Sequence, residues 1–307
     1  MKISESSVTS LVSAFSRAYH SQYDHPLLFD DYIAKELISH PEQKMIKENL
    51  IQGIHFFNKD IASKLNNNAD ELLKWITQIQ LSPTPLARAS FCENVLLKEI
   101  VLGAKQYVIL GAGLDTFCFR HMPLKDKLHI FEVDHPATQE GKKHRLKEAN
   151  LQIPDHLHFI PMDFTKDFSY KKLIEASFND KKKTFVSLLG VSYYLTEKQL
   201  FHLLEQVFAH IPAGSSIIFD YGDEHLFTEK GRSNRVENMV KMASAGGEPM
   251  KSCFSYQKIE NLLEKAGLLI FEHLTPDDIE KRYFQYRNDY LSAFETIHYI
   301  HAVKNKK

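Results

Sequence analysis

Gly111 and Gly113 lie in the run Gly111-Ala112-Gly113-Leu114-Asp115-Thr116, directly after the apolar stretch Tyr107-Val108-Ile109-Leu110. A second apolar stretch, Leu128-His129-Ile130-Phe131, ends in Glu132-Val133-Asp134. The order is strand, glycine turn, short helix, then a strand tipped with acid. Glycines let backbone N–H groups approach a ligand closely, and an acid at the next strand tip accepts from the two hydroxyls of a ribose. These parts suit a nucleotide-like ligand. Asp134 is the preferred ribose partner, because it ends the strand just before His135 and Pro136; capping the next helix is its other use. Glu132, two residues back, is expected on the same side. The sixth position of the turn is Thr116, not the glycine that packs a helix beside a pyrophosphate in dinucleotide enzymes. The turn therefore favours a ligand without a phosphate pair over NAD.

Other strand ends carry further candidates. Asp163 follows Phe159-Ile160-Pro161-Met162, where a carboxylate can accept from an adenine amino group or cap a helix. Ser187-Leu188-Leu189-Gly190-Val191-Ser192 runs into Tyr193 and Tyr194, and Thr196 with Gln199 reads as a capping box for the next helix. Both tyrosines lie just past the strand tip, where one of them, such as Tyr194, can line a reaction pocket; ordinary packing aromatics are the other reading. Asp220-Tyr221-Gly222-Asp223-Glu224-His225 gathers acids and a histidine at the same edge, so a general base can be sought in His225 or Asp223 as well as Tyr194. Solvated loop charge is the other reading of that cluster. The histidines are scattered, with no H-E-x-x-H or similar spacing, so no metal is expected.

The elements that position these residues follow from periodicity. Residues 5–100 read as helices, with apolar residues three and four apart, as in Leu72, Leu73, Ile76 and Ile79. Ser82-Pro83-Thr84-Pro85 breaks that pattern, and a further helix is expected from Leu86 to Gly103 with Arg88 near its start. Beyond residue 103, strands near 106–110, 128–133, 157–161, 184–190, 215–220, 268–273 and 298–304 alternate with helices near 116–121, 136–149, 170–177, 197–210 and 256–266. This predicts an α/β fold: a mostly parallel sheet covered on both faces. The last two strands lack a crossover helix of the same kind, so one is expected to be antiparallel. Residues 222–252, rich in glycine, read as a lid-like insert or substrate wall. The expected division is a helical segment at 1–103 that covers the site and a core at 104–307.

Composition narrows the partners. The chain has 307 residues and a formal net charge of -1, so no broad basic field exists for nucleic acid or an anionic membrane surface. Cys92, Cys118 and Cys253 are too few and too far apart for a disulfide framework. With no apolar run long enough to span a bilayer and no signal-peptide core near Met1, a cytoplasmic protein is expected.

The phrases Tyr107-Val-Ile-Leu-Gly-Ala-Gly-Leu-Asp-Thr-Phe-Cys-Phe-Arg120, Phe131-Glu-Val-Asp-His-Pro136, Gly190-Val-Ser-Tyr-Tyr-Leu-Thr196 and Gly247-Glu-Pro-Met250 resemble those of the leucine carboxyl methyltransferase-like family of S-adenosylmethionine-dependent O-methyltransferases, including its bacterial polyketide-type branch. Ala14-Phe-Ser-Arg-Ala-Tyr-His20 and Pro85-Leu-Ala-Arg88 resemble its N-terminal segments, so the likeness spans nearly the whole chain. It implies a Rossmann-like class I methyltransferase fold, with seven strands and the last antiparallel. It implies that Arg88 holds the methionine carboxylate of S-adenosyl-L-methionine, that Gly111 and Gly113 pass beneath the donor with Ala112 and Asp115 of the same turn, that Asp134 takes the ribose, and that Asp163 and Phe164 frame the adenine. Arg17 matches a basic position near the pocket. Leu189 stands where the leucine carboxyl methyltransferases carry a glutamate, which puts the holding of the donor's amino group in doubt. The expectation is methyl transfer to a carboxylate or hydroxyl oxygen of a small-molecule acceptor. The competing readings are a protein C-terminal carboxyl methyltransferase, an NAD-dependent oxidoreductase and a non-catalytic cofactor-binding module.

Overall fold

The computed structural model describes residues 7–305 except 59, 66, 67, 165 and 167. Its centre is a seven-stranded sheet in the order β3-β2-β1-β4-β5-β7-β6. The strands are β1 (Gln106–Leu110), β2 (His129–Asp134), β3 (Leu157–Pro161), β4 (Thr184–Leu188), β5 (Ser216–Gly222), β6 (Leu268–Leu274) and β7 (Ile297–Lys304). Pairing is parallel from β3 through β5, and β7 runs antiparallel to both β5 and β6. Strands β1, β4 and β5 are buried along their whole length, as parallel strands covered on both faces must be. This is the Rossmann-like arrangement that the alternation of strands and helices predicts, including the antiparallel β7.

Side-chain alternation sends successive residues of each strand into two cores. Val108, Leu110, Phe131, Val186 and Phe219 pack with the helices Glu197–His210 and Tyr256–Lys265 on one face. Tyr107, Ile109, Ile130 and Phe185 pack on the other with Phe15, Ile76, Leu86 and Phe91. The N-terminal helices thus share a core with the sheet.

The Ser82–Pro85 stretch does not separate helices as its composition suggests. The helix Pro83–Val101 begins within it, directly after a π-helical turn at Thr77–Leu81. Proline in a first turn forfeits only an N–H that has no helical partner, so the two prolines start the helix. Starting there puts Arg88 in the helix's second turn, against the carboxyl ends of the strands.

The segment 222–252 forms a turn, the helix Arg235–Ala245 and a loop that returns to the sheet edge, where the Phe254 N–H donates to the Gly222 carbonyl at 2.9 Å. The buried Arg235 anchors it, donating to Glu295 at 3.0 Å and to Ser292 at 2.9 Å. Among the described residues, no helix is long and apolar enough to cross a membrane.

Candidate active site

A cavity of about 740 Å³ opens over the carboxyl ends of β1, β2 and β4, roofed by the first helix (Val8–Tyr23) and by residues 239–251 of the insert. Its size is that of a small-molecule site, for which ~300–1,000 Å³ is usual. The strand tips supply one half of the lining: Gly111, Ala112, Gly113 and Asp115 after β1, Asp134 at the end of β2, Asp163 and Phe164 after β3, and Leu189, Gly190 and Tyr194 after β4.

The glycine turn is built by the strand order. Gly111 N–H donates to the Val133 carbonyl at 2.8 Å, so the chain leaves β1 held against β2. Gly111 and Gly113 both have positive φ, at 73° and 51°, a region that a Cβ makes costly. Gly113 N–H donates to Asp134 Oδ2 at 2.5 Å, and His135 N–H donates to Oδ1 at 2.6 Å. Burial pushes the Asp134 carboxyl up, against the two N–H groups that favour its charge. Each oxygen keeps a lone pair for a further donor. His135, not Asp134, caps the next helix, accepting from Ala137 N–H. The helix that follows Asp163, Tyr170–Glu175, has Ser169 at its N-cap position.

Glu132 does not share the cavity with Asp134, contrary to the expectation from strand alternation. It is buried under the helix Pro136–Glu148, whose Lys142 Nζ lies 2.5 Å from its Oε2. Two residues of rise separate the covered part of β2 from its open tip, so same-side geometry does not give the same surroundings.

Arg88 crosses to the opposite side of the cavity. Its Nη1 donates to Asp220 Oδ2 at 2.8 Å, with Asp220 fully buried at the end of β5. Burial opposes the guanidinium charge, but the adjacent Asp220 carboxylate outweighs it and holds the Arg88 pKa above its ordinary value. Asp220 also accepts from Gly190 N–H at 2.6 Å and Tyr193 O–H at 2.7 Å. Gly190, at φ 71°, has no room for a side chain: a Cβ there would sit 2.5 Å from Arg88 Nη2. The signal for Asp220 is present in the sequence as an acid at the end of the apolar run Ile217-Ile218-Phe219, which demands a partner once buried.

The cluster at 220–225 therefore divides. Asp220 reaches the site as the support of Arg88, Asp223 turns to His298 at 3.4 Å, and His225 is exposed in a surface turn, away from the cavity lining. Tyr194 is in the cavity, and burial pushes its phenol up to about 12. Leu189 lines the cavity beside Gly190.

Arg17 lines the cavity and ties the first helix to the turn. It donates to the Leu114 carbonyl and to Asp31 Oδ2, both at 2.8 Å. Burial would raise the Asp31 carboxyl, but Arg17, Arg120 and the Thr116 hydroxyl hold it below its ordinary value. At the cavity's other rim, Ser7 and Thr9 hydroxyls donate to Glu248 Oε2 at 3.1 and 2.5 Å, joining the first helix to the insert. No spacing signal connects residues so far apart in the chain, so the sequence alone carries no sign of this contact. Among the described residues no cluster of His, Cys, Asp and Glu is arranged to hold a metal.

The lining fits S-adenosylmethionine: the Arg88 guanidinium, the Asp134 carboxylate and a turn whose Gly111 and Gly113 leave no room for a Cβ beside Val191 and Ser10. A family model described as leucine carboxyl methyltransferase matches residues 10–208. The chain is 66% identical over 304 residues to YktD of Bacillus subtilis, a protein assigned by name to the S-adenosyl-L-methionine-dependent methyltransferases, covering 99% of this chain and 100% of that one. A Mycolicibacterium paratuberculosis protein assigned to the same class is 29% identical over 243 residues, covering 78% and 73% of the two chains. A crystal structure of a DUF574-family protein from Streptomyces avermitilis superposes with a TM-score of 0.54 at 11% identity, over 95% of this chain and 97% of that one, a likeness of fold.

Proposed function

The chain belongs to the leucine carboxyl methyltransferase family of S-adenosylmethionine-dependent enzymes, and from that premise we propose that it transfers the methyl group to an oxygen of a small-molecule acceptor. When bound, S-adenosylmethionine supplies a methyl group on a sulfonium, whose charge already makes it a good leaving group. Arg88 would hold the donor's carboxylate, Asp134 its ribose hydroxyls, and Asp163 with Phe164 its adenine, while Gly111, Ala112, Gly113 and Asp115 give it a close-fitting floor.

The observation that carries this reading is the two-sided cavity. Strand tips furnish the donor side, and Val8, Val12, Met239, Met242, Met250 and Phe294 add apolar lining to the same cavity. A donor that needs no activation leaves the protein to align the acceptor and to exclude water, worth roughly 7–11 kcal/mol of barrier for well-placed partners. Apolar lining beneath the first helix and the insert suits both tasks. Tyr194, with its phenol near 12, keeps its proton at neutral pH. It serves as a hydrogen-bond donor that orients the acceptor oxygen, not as a base. This favours an acceptor oxygen that arrives already ionised, a carboxylate or an acidic phenol.

The test is transfer of a radiolabelled methyl group from S-adenosylmethionine to a panel of small carboxylic acids, phenols, thiols and amines. Brief mild alkali releases methanol from methyl esters and leaves aryl methyl ethers intact, so it identifies the oxygen. Labelled product that is a thioether or an N-methyl compound, with no ester or ether formed, would overturn oxygen as the acceptor atom.

A further inference from the structure

The hydroxyl oxygen of Ser10, on the first helix, is buried and has no hydrogen-bond partner. It lies directly over the glycine turn: a methyl group built on Gly113 would be 2.5 Å from Ser10 Oγ. Ser10 lines the same cavity as Asp134, whose carboxylate accepts from Gly113 N–H. A buried hydroxyl without a partner is a standing cost to a fold. Here it packs against Gly113, where only a glycine leaves it room, at the wall of the cavity that both residues line.

We propose that Ser10 is a donor-positioning residue: its hydroxyl hydrogen-bonds the S-adenosyl ligand on the Gly113 side of the turn, so that the first helix is a wall of the donor seat and not only its roof. This rests on the reading that the donor occupies the glycine turn beside Asp134. The contact couples the two halves of the cavity. Ser10 N–H donates to Ser7 Oγ at 3.2 Å, and Ser7 and Thr9 hydroxyls donate to Glu248 of the insert. Arg17, farther along the helix, holds Leu114 of the turn at 2.8 Å. A donor that engages Ser10 steadies the first turn of the helix, and through Glu248 the insert loop that lines the same cavity. Donor binding then precedes and organises the acceptor site.

The experiment is calorimetric titration of the whole protein with S-adenosylhomocysteine, for wild type, Ser10→Ala and Asp134→Ala, with thermal unfolding of each unliganded protein. Removing one neutral hydrogen bond should weaken S-adenosylhomocysteine binding by Ser10→Ala about three- to tenfold. The unliganded Ser10→Ala protein should melt at the same temperature as wild type or higher, because the substitution deletes an unsatisfied polar group. A merely structural serine gives the opposite pair of results: lower melting temperature and unchanged affinity. Hydrogen exchange should also slow across residues 8–15 when S-adenosylhomocysteine is added to wild type, and less so for Ser10→Ala. Equal affinity of Ser10→Ala and wild type overturns the role of Ser10. If Asp134→Ala too leaves affinity unchanged, the placement of the donor fails along with it; a loss confined to Asp134→Ala leaves the placement standing and removes Ser10 alone.

Discussion

Arg88 Nη1 and Asp220 Oδ2 meet at 2.8 Å, joining the helix Pro83–Val101 to the tip of β5 across the floor of the cavity. The pair is asymmetric. Asp220 is fully buried, while 16% of the Arg88 side chain stays accessible from the cavity. One edge of the guanidinium is neutralised by the protein, and the proposed donor carboxylate would meet the other. Asp220 also fixes Gly190 N–H and Tyr193 O–H, so the carboxylate sets both the charge and the shape of this end of the site.

Asp220→Asn keeps the shape of the side chain and removes its charge. The buried guanidinium then lacks a counter-ion, and breaking such a pair costs about 3 kcal/mol at the lower end of the usual range. Urea unfolding should show that loss. S-adenosylhomocysteine affinity should fall at least tenfold, because Arg88 is no longer held at the cavity wall. Unchanged stability and affinity would mean that Arg88 is positioned by something else.

Asp134→Ala removes the acceptor at the tip of β2. Hydrogen bonds to a charged group contribute about 1.5–3 kcal/mol each, so the loss of one corresponds to S-adenosylhomocysteine binding weaker by roughly 10- to 150-fold. Asp134→Asn retains one acceptor oxygen and should fall between Ala and wild type. Calorimetry orders the three proteins, and the ranking is the test.

How much of this site is legible in sequence follows the range of the interactions involved. Gly111, Gly113 and Asp134 are set by one strand-turn-strand unit, so local spacing is enough to place them. Glu132 shows where that reasoning stops: its side is given by alternation, but its burial is decided by Lys142 on the next helix. The partner of Asp220, the place of Ser10 and the Glu248 contact depend on which segments the fold brings across the sheet, and neither period nor motif carries that. The same holds for His225. Its place in a cluster of acids and histidine suggests a base, and a tight turn, in which His225 N–H donates to Asp223 Oδ1 at 2.9 Å, leaves it at the surface.

Gly190→Ala tests the packing of Arg88 without touching any charge. A non-glycine residue in the left-handed region costs roughly 1–2 kcal/mol, so stability should fall by about that much. The new methyl would be 2.5–2.8 Å from three guanidinium atoms of Arg88. A flexible side chain yields before the backbone does, and Arg88 moves off Asp220. S-adenosylhomocysteine binding should weaken by more than tenfold even though the protein remains folded by circular dichroism. Retained affinity would show that Arg88 can serve the ligand from a second position.

Acid stability should depend on Glu42, far from the cavity. Its carboxylate accepts from Arg145 through both oxygens, at 2.7 and 2.6 Å, and from Ser39 N–H at 2.9 Å. The Arg145 hydrogen bonds, working against partial burial, bring its pKa down from 4.5 to about 2. A carboxyl depressed in the folded state binds its proton less readily there than in the unfolded chain. Its contribution is complete above pH 4.5 and is lost as pH falls toward 2. A tenfold difference in proton affinity between the folded and unfolded chains corresponds to about 1.4 kcal/mol, and screening of a partly exposed pair reduces the total to about 1–2 kcal/mol. Glu42→Gln should therefore be less stable than wild type by that amount at pH 7, and the gap should narrow between pH 4.5 and 3. Urea unfolding at pH 7, 5, 4 and 3 measures it. A gap that stays constant down to pH 3 would assign the stabilisation to packing between the helices His40–Gln52 and Pro136–Glu148 and not to the charge of Glu42.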